Sequence, residues 1–217
     1  MMTSLMAAVF VLSGFLSLAW GQGETYKAPI PKRSGAQAPA KEPEKSAAPA
    51  KKADSLNFEF ELKKINSLIS VNDRNPDAFF NRGWLYEHKG DLQLAEKDYS
   101  RAIELDRKNK DAYYNRGLLY ARMKKHEEAI KDFSEVVKLD SGAADALCNR
   151  GSAQFQLGRI DLAITDFDAG LKTKPGDPDL LYNRGLAFIA KGNKSKAMED
   201  FNKAAQAGHP KAKDQLK

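Results

Sequence analysis

The chain has 217 residues, one cysteine and a formal net charge of +6 at pH 7. A single cysteine excludes an intrachain disulfide. Residues 56–217 carry 28 Lys/Arg and 25 Asp/Glu, so this long stretch is nearly neutral and lacks the basic stripe typical of nucleic-acid-binding proteins.

The first segment of the chain has the features of a targeting sequence. An uncharged apolar stretch runs from Leu5 to Leu18, and Ala19-Trp20-Gly21 then offers a small-residue cleavage site. The pattern predicts a signal peptide over residues 1–21 and an exported protein, periplasmic or secreted. No basic residue precedes the stretch, so an uncleaved segment that anchors the protein in a membrane is the alternative.

Residues 22–54 have a different composition, rich in Ala, Pro, Lys and Glu, with five of the nine prolines and one aromatic residue, Tyr26. Such a segment cannot bury enough apolar surface to offset the entropy of ordering. It is predicted to be a disordered tether. The tether serves either as a plain spacer or, through its basic residues, as a weak contact with an anionic envelope surface.

A helical pattern begins after the tether. Apolar residues recur at helical spacing from Phe58 through Ile65 to Val71, and Asn75-Pro76 ends the pattern. The segment aligns with the second half of the units that follow. It is therefore predicted to be a capping helix over residues 55–74, equivalent to half a repeat.

The remainder of the chain repeats with a period of 34 residues. Four copies of Asn-Arg-Gly begin at positions 81, 115, 149 and 183, and an Asp-aromatic pair follows each copy at the same distance. A strict period of this length predicts an all-α array of helix–turn–helix units that bury apolar faces against their neighbours. The predicted units are residues 76–109, 110–143, 144–177 and 178–211, followed by a short C-terminal cap over 212–217.

The residues within each unit resemble the tetratricopeptide repeat family. The first copy has Phe79, Gly83, Tyr86, Ala95 and Tyr99 where the family pattern has W-x₂-L-G-x₂-Y and then A-x₃-F, and the other copies have related residues. The resemblance covers about residues 56–217 and implies a right-handed α-solenoid. Each glycine is expected to let the two helices of a repeat cross closely, opposite the alanine of the second helix.

All four copies depart from the family at the same two places. Arg precedes the glycine, where the family usually has Leu, and Asp precedes the second-helix aromatic. We interpret these residues as structural ion pairs, within one repeat or to the next, for example Asp98 with Arg82 or Arg116. The alternative is that each faces water. The set is Arg82, Arg116, Arg150, Arg184, Asp98, Asp132, Asp166 and Asp200.

The resemblance also implies a binding site, because in this family the first helices of the repeats line a concave groove that takes peptides. Apolar side chains would supply pockets and a row of Asn would hydrogen-bond a peptide backbone; alternatively, the Asn side chains serve the fold through local bonds. The implied lining is Asp77, Phe80, Asn81, Trp84, Asp111, Tyr114, Asn115, Leu118, Asn149, Ser152, Tyr182, Asn183 and Leu186.

Enzymatic chemistry has little support in the sequence. The three histidines fall at unrelated places in the repeat, and no catalytic residue, metal site or cofactor site is predicted. No basic residue stands where the family's carboxylate clamp needs one, so the acidic, aromatic lining favours a neutral or basic peptide. We therefore expect a non-enzymatic adaptor or assembly scaffold. The alternatives are a membrane-anchored or cytosolic scaffold, or an accessory factor of a cell-wall enzyme complex.

Overall fold

The computed structural model describes residues 51–217. The predicted signal peptide, and the predicted tether as far as residue 50, lie outside the described residues. The described part is built from α-helices and one short 3₁₀-helix, with no strand among them. The helices are α1 Lys51–Val71, α2 Pro76–Lys89, α3 Leu92–Leu105, α4 Lys110–Arg122, α5 His126–Leu139, α6 Ala144–Gln156, α7 Ile160–Thr173, α8 Pro178–Ala190, α9 Lys194–Gln206 and the 3₁₀-helix Ala212–Leu216.

Helix α1 begins earlier and ends earlier than the sequence predicts. The predicted cap spans residues 55–74, whereas the helix covers Lys51–Val71, so residues 51–54 belong to the helix and not to the tether. No proline follows Pro49 until Pro76, so nothing in between blocks the helical ladder. After Val71 the Asn72 side chain accepts a hydrogen bond from the backbone N–H of Arg74 (3.0 Å) and stabilises a turn.

The two helices of each repeat are joined by a turn that needs a left-handed backbone. Gly90, Gly158 and Gly192 take φ of 94°, 74° and 80° at this place, where a glycine has no Cβ to clash. In the second repeat the same position is Lys124, with φ 58°. Lys124 is the one non-glycine residue with positive φ in the described part of the chain.

The two helices of a repeat cross closely at a glycine, and an aromatic ring of the second helix packs against it. A Cβ built on Gly117 would lie 2.8 Å from the Phe133 ring, and one on Gly151 would lie 2.7 Å from the Phe167 ring. The nearest atoms to the added Cβ are therefore those of the aromatic ring of the second helix. Ala129 of the same second helix is also fully buried, which is consistent with a close-packed hairpin.

The helices pack in chain order to form a stack. Each helix contacts its neighbours before and after it along the chain, from α1–α2 to α8–α9, and the 3₁₀-helix packs on α9. The largest fully buried side chains include the second-helix rings of all four repeats, Tyr99, Phe133, Phe167 and Phe201. None of the helices in residues 51–217 combines the length and apolarity required to cross a membrane.

Candidate peptide-binding groove

The first helices of the four repeats lie side by side on one surface of the stack. Contacts join α2 to α4, α4 to α6 and α6 to α8. The second helices have no contacts of that extent with one another in the described residues. The first helices are therefore closer together and line the inner, concave side of the array. All thirteen residues of the predicted lining lie on these four helices.

Three of the predicted lining residues are largely buried within the stack. Phe80 and Tyr182 are 8% and 9% exposed, and Asn81 is 7% exposed. The Phe80 ring lies 5.7 Å from the Tyr99 ring. Most of the surface of these three side chains is packed against the protein, so they present less surface to a peptide than the sequence pattern predicts.

Tyr182 is covered from the C-terminal side of the stack. The His209 ring stacks on it at a centroid distance of 4.0 Å and an interplanar angle of 18°. The Tyr182 ring also lies 5.6 Å from the Phe201 ring. The sequence did not predict this contact, because the histidines fall at unrelated places in the repeat and no pattern marks His209.

The Asn row is held by hydrogen bonds within the protein. Asn149 Nδ2 donates to the Tyr114 hydroxyl of the preceding repeat (3.0 Å), and Asn183 Nδ2 contacts Cys148 Sγ in the same register (3.5 Å). Asn115 Nδ2 donates to the carbonyl oxygen of Asp111 (2.8 Å). Each bond uses one amide hydrogen of a group with two. The bonds fix the orientation of partly exposed carboxamides along the groove.

Carboxylates occupy the first turn of every first helix, where the helix dipole stabilises negative charge. Asp145 is paired with Lys174 (2.8 Å), and Asp179 lies 3.5 Å from His209 Nε2. Asp111 is exposed and Asp77 is half-buried. The N-terminal half of the groove therefore combines carboxylates with the partly exposed side chains of Trp84 and Leu118.

Cys148 lies beneath the groove and is not a reactive group. It is 3% exposed, and burial raises the pKa of its thiol to about 12. A thiol with such a pKa remains protonated at neutral pH and is a poor nucleophile or metal ligand. In residues 51–217 no group of three or more His, Cys, Asp or Glu side chains is placed to hold a metal ion.

The Arg–Asp pairs lie within each repeat and join its two helices. Arg82 Nε and Nη2 donate to the two carboxylate oxygens of Asp98 at 2.7 and 2.8 Å. Arg116 pairs with Asp132 at 2.8 and 2.7 Å in the same geometry, and the other two repeats repeat it. The Asp side chains are 3–6% exposed. The planar guanidinium fits both oxygens at once, as a lysine ammonium cannot.

The third donor of each arginine reaches the preceding repeat, which the sequence did not reveal. Arg116 Nη1 donates to Ser100 Oγ (2.8 Å), and Arg82 Nη1 donates to Asn66 Oδ1 on α1 (2.9 Å). These acceptors also recur every 34 residues, at Asn66, Ser100, Ser134 and Asp168. One arginine therefore connects three helices. The hydrogen bonds to Asp98 and Asp166 hold the pKa of Arg82 and Arg150 above the usual value.

Helical hairpins stacked in one direction, with an open concave face, define an α-solenoid scaffold that binds proteins. Family models described as "Tetratricopeptide repeat" match residues 76–109 and 111–142, and residues 148–212, which together are more than half of the chain. The chain belongs to the tetratricopeptide repeat family.

Solved structures with the same fold share little sequence with this chain. A structure titled "Crystal structure of MamA" is 24% identical over 75% of this chain and 95% of its own, with a TM-score of 0.67. "MamA 41-end from Desulfovibrio magneticus RS-1" is 18% identical over 71% and 88%, with a TM-score of 0.66. YrrB, titled "a TPR protein with an unusual peptide-binding site", is 22% identical over 75% and 84%, also with a TM-score of 0.66. Among curated proteins, no sequence matches this chain.

Proposed function

We propose that the protein is an exported adaptor or assembly scaffold that binds a neutral or basic peptide, or a partner helix, in the concave groove. The observation that carries the proposal is the row of oriented, partly exposed carboxamides at Asn115, Asn149 and Asn183 along contacting first helices. Amides that both donate and accept can bind the backbone of an extended chain without selecting its sequence. YrrB, which has the same fold, is a TPR protein with a peptide-binding site, and this is consistent with such a use of the fold here.

Selectivity would come from the side chains around the amides. Trp84, Leu118 and Leu186 are partly exposed and supply apolar contacts. Asp77 and Asp111 favour a basic residue in the N-terminal half of the groove. Because the carboxylate of Asp111 is exposed, its contribution falls when salt screens the interaction.

A pull-down from an envelope fraction tests the groove. The change Tyr114→Ala with Asn115→Ala removes one apolar contact, the acceptor for Asn149 and one carboxamide, so partners that need the groove should be lost. The matched control, Glu128→Ala with Lys131→Ala, alters two exposed residues of α5. Deletion of residues 22–50 forms the third arm. Groove binding would be refuted if partners are still retained by the Tyr114→Ala, Asn115→Ala protein but are no longer retained by the protein that lacks residues 22–50.

Export is tested by sequencing the N-terminus of the mature protein. A chain that begins at Gln22 supports cleavage after Gly21 and a periplasmic or secreted location. A chain that begins at Met1 and sediments with membranes supports the anchored alternative. Soluble protein that begins at Met1 supports a cytosolic scaffold.

A further inference from the structure

The junctions between neighbouring first helices carry different side chains at one matching set of positions. At the first junction, Arg122 Nη1 of α4 donates to Glu87 Oε1 of α2 (2.6 Å). The Tyr99 hydroxyl donates to the other carboxylate oxygen of Glu87 (2.9 Å). The C-terminal turns of neighbouring first helices therefore meet side chain to side chain, and polar groups close this junction.

The junction between α6 and α8 replaces this polar cluster with apolar side chains. Two repeat periods later, the residues that match Glu87, Arg122 and Tyr99 are Phe155, Ala190 and Phe167. The Phe155 side chain is partly exposed, and Ala190 is exposed. Ala190 is too short to cover the Phe155 ring from a position at which Arg122 reaches Glu87. The last junction of the groove therefore presents an aromatic ring where the first presents an ion pair.

Two further side chains extend this apolar area along α8. Leu186 is partly exposed and Ile189 is 46% exposed. The two residues are one helical turn apart, so they share a face of the helix. Phe155 takes the place on α6 that Ile189 takes on α8, and the two helices are in contact. We call Phe155, Leu186, Ile189 and Ala190 the anchor surface. Adjacent exposed apolar side chains are typical of a surface that binds another chain.

Negative charge lies at the other side of the groove. After their first turns, α6 and α8 contain no acidic residue, and their first-turn carboxylates already have partners, Lys174 and His209. On α4 the Asp111 side chain is exposed, and Asp77 on α2 is half-buried. A ligand would therefore meet negative charge at the N-terminal ends of α2 and α4, and apolar surface at the C-terminal ends of α6 and α8.

The distance between Asp111 and the anchor surface sets the length of a ligand that reaches both. Asp111 is the second residue of α4 and Phe155 the twelfth of α6, a difference of about 15 Å along the helix axes. Packed helices lie about 8–10 Å apart, so the middle of the anchor surface is about 12–15 Å to the side of α4. The diagonal is about 20 Å, which an extended chain spans in about six residues.

We propose that the groove binds an extended peptide in which a Lys or Arg and a large apolar residue stand about six positions apart. The basic residue pairs with Asp111, the apolar side chain packs on the anchor surface, and the backbone between them lies along the carboxamides of Asn115 and Asn149. Residues an even number of positions apart point to the same side of an extended chain, so both can face the groove. This selectivity rests on the peptide-binding function proposed above and narrows its ligands to one class.

Fluorescence anisotropy with the full chain and labelled peptides measures this selectivity. The reference probe has one Lys and one Leu about six positions apart in an otherwise Ala, Ser and Gln sequence; it is made in both chain orders, and the tighter binder is used. Replacing the Leu of the probe by Ser should weaken binding about tenfold. Replacing its Lys by Gln should weaken binding about threefold at low salt. A probe with the two residues adjacent should keep only one of the two contacts.

Protein variants assign the two contacts to their residues. Ile189→Ser removes part of the anchor surface, and Ala190→Arg places a guanidinium beside it, so each should weaken the reference probe about tenfold and leave the Ser probe unchanged. Asp111→Asn should remove the difference between the reference and Gln probes. Leu162→Ser is the matched control, because Leu162 is 53% exposed on the second helix α7, and it should change nothing. All four altered residues are exposed, so circular dichroism melting curves should match that of the unaltered chain.

The outcomes distinguish the anchor surface from the groove as a whole. If Tyr114→Ala with Asn115→Ala abolishes binding while Ile189→Ser and Ala190→Arg bind the reference probe as the unaltered chain does, the anchor surface is overturned and groove binding stands. If the reference probe binds equally well to all of these proteins, or if no probe binds, groove binding of such peptides is overturned as well.

Discussion

At the scale of single residues, the arginine that precedes each glycine holds the array together through hydrogen bonds of its guanidinium group. Its two parallel donors pair with a carboxylate that is almost completely buried, and its third donor reaches a polar side chain one repeat earlier. A buried carboxylate costs several kcal/mol unless it is paired and hydrogen-bonded. Arg and Asp must therefore be present together, which explains why both departures from the family pattern occur in all four copies.

We expect Arg116→Leu to destabilise the protein by about 3 kcal/mol, because it leaves the Asp132 carboxylate buried without its partner. The double change Arg116→Leu with Asp132→Tyr introduces residue types of the kind the family usually has at these places. It should recover most of the loss, since apolar replacements of a buried pair are often neutral. Urea unfolding of both proteins measures this. Equal losses in the single and double proteins would contradict the expectation.

Lys124 is the residue whose replacement should stabilise the fold. It takes φ 58° where three repeats have glycine, and the left-handed conformation costs a residue with a Cβ about 1 kcal/mol. Lys124→Gly should therefore raise the free energy of unfolding by up to about 1 kcal/mol. Lys124→Ala removes the same side-chain charge but keeps the Cβ, so it should give no such gain. Chemical denaturation compares the two, and equal effects would count against backbone strain.

The sequence predicted the groove helices and the pairing residues but not the burial of single side chains. Arg and Asp recur without change, so their association was visible from the period alone. The acceptors Asn66, Ser100 and Asp168 differ in residue type, which hid their equal spacing. The burial of Phe80 and Tyr182 depends on neighbouring helices and on His209, and no local pattern records such contacts.

At the scale of helices, the hairpin is fixed by a ring packed against a glycine. Helix α2 spans Pro76–Lys89 because Asn75 caps its first turn and Gly90 ends it, and both signals are local in the sequence. The start of α1 at Lys51 differs from the predicted start at residue 55, because residues 51–54 carry no comparable start signal. Composition alone did not separate the helix from the proline-rich segment before it.

Gly117→Ala should push apart the two helices of the second repeat and destabilise the protein. The added methyl would lie 2.8 Å from the Phe133 ring, which is fully buried and cannot move aside. Overpacking of this kind costs about 1–3 kcal/mol, and the better helix propensity of Ala returns about 1 kcal/mol, so the net loss is up to about 2 kcal/mol. Gly176→Ala is the control, because no atom lies within 4 Å of its added methyl. Thermal melting measures both proteins, and a lower melting temperature for Gly176→Ala than for Gly117→Ala would refute this packing argument.

At the scale of the whole molecule, stability depends on how each end of the stack is covered. Ala212 of the 3₁₀-helix is fully buried, and His209 stacks on Tyr182. Burial and the nearby charge of Lys211 lower the pKa of His209 below its ordinary value. The C-terminal end is therefore held by a neutral imidazole.

This lowered pKa predicts the sign of a pH effect. The unfolded chain binds a proton at His209 below about pH 6.5, more readily than the folded chain does. The stability contributed by neutral His209 is therefore complete above that pH and falls as the pH drops through the lowered folded value. Urea unfolding at pH 7.5 and 5.5 should show a larger loss for the unaltered chain than for His209→Gln. A gain on acidification would mean that Asp179, 3.5 Å from Nε2, outweighs burial.

Because every junction offers the same arginine donor and a polar acceptor one repeat earlier, the array can in principle be lengthened without a new interface. A second copy of residues 110–143, inserted directly after the first, would place Ser134 of one copy opposite Arg116 of the next, which reproduces the Ser–Arg contact already present at that junction. Such a five-unit protein should gain helical content in proportion to its added length and unfold cooperatively. Each added repeat would then present an equivalent set of binding positions at a constant spacing along the array.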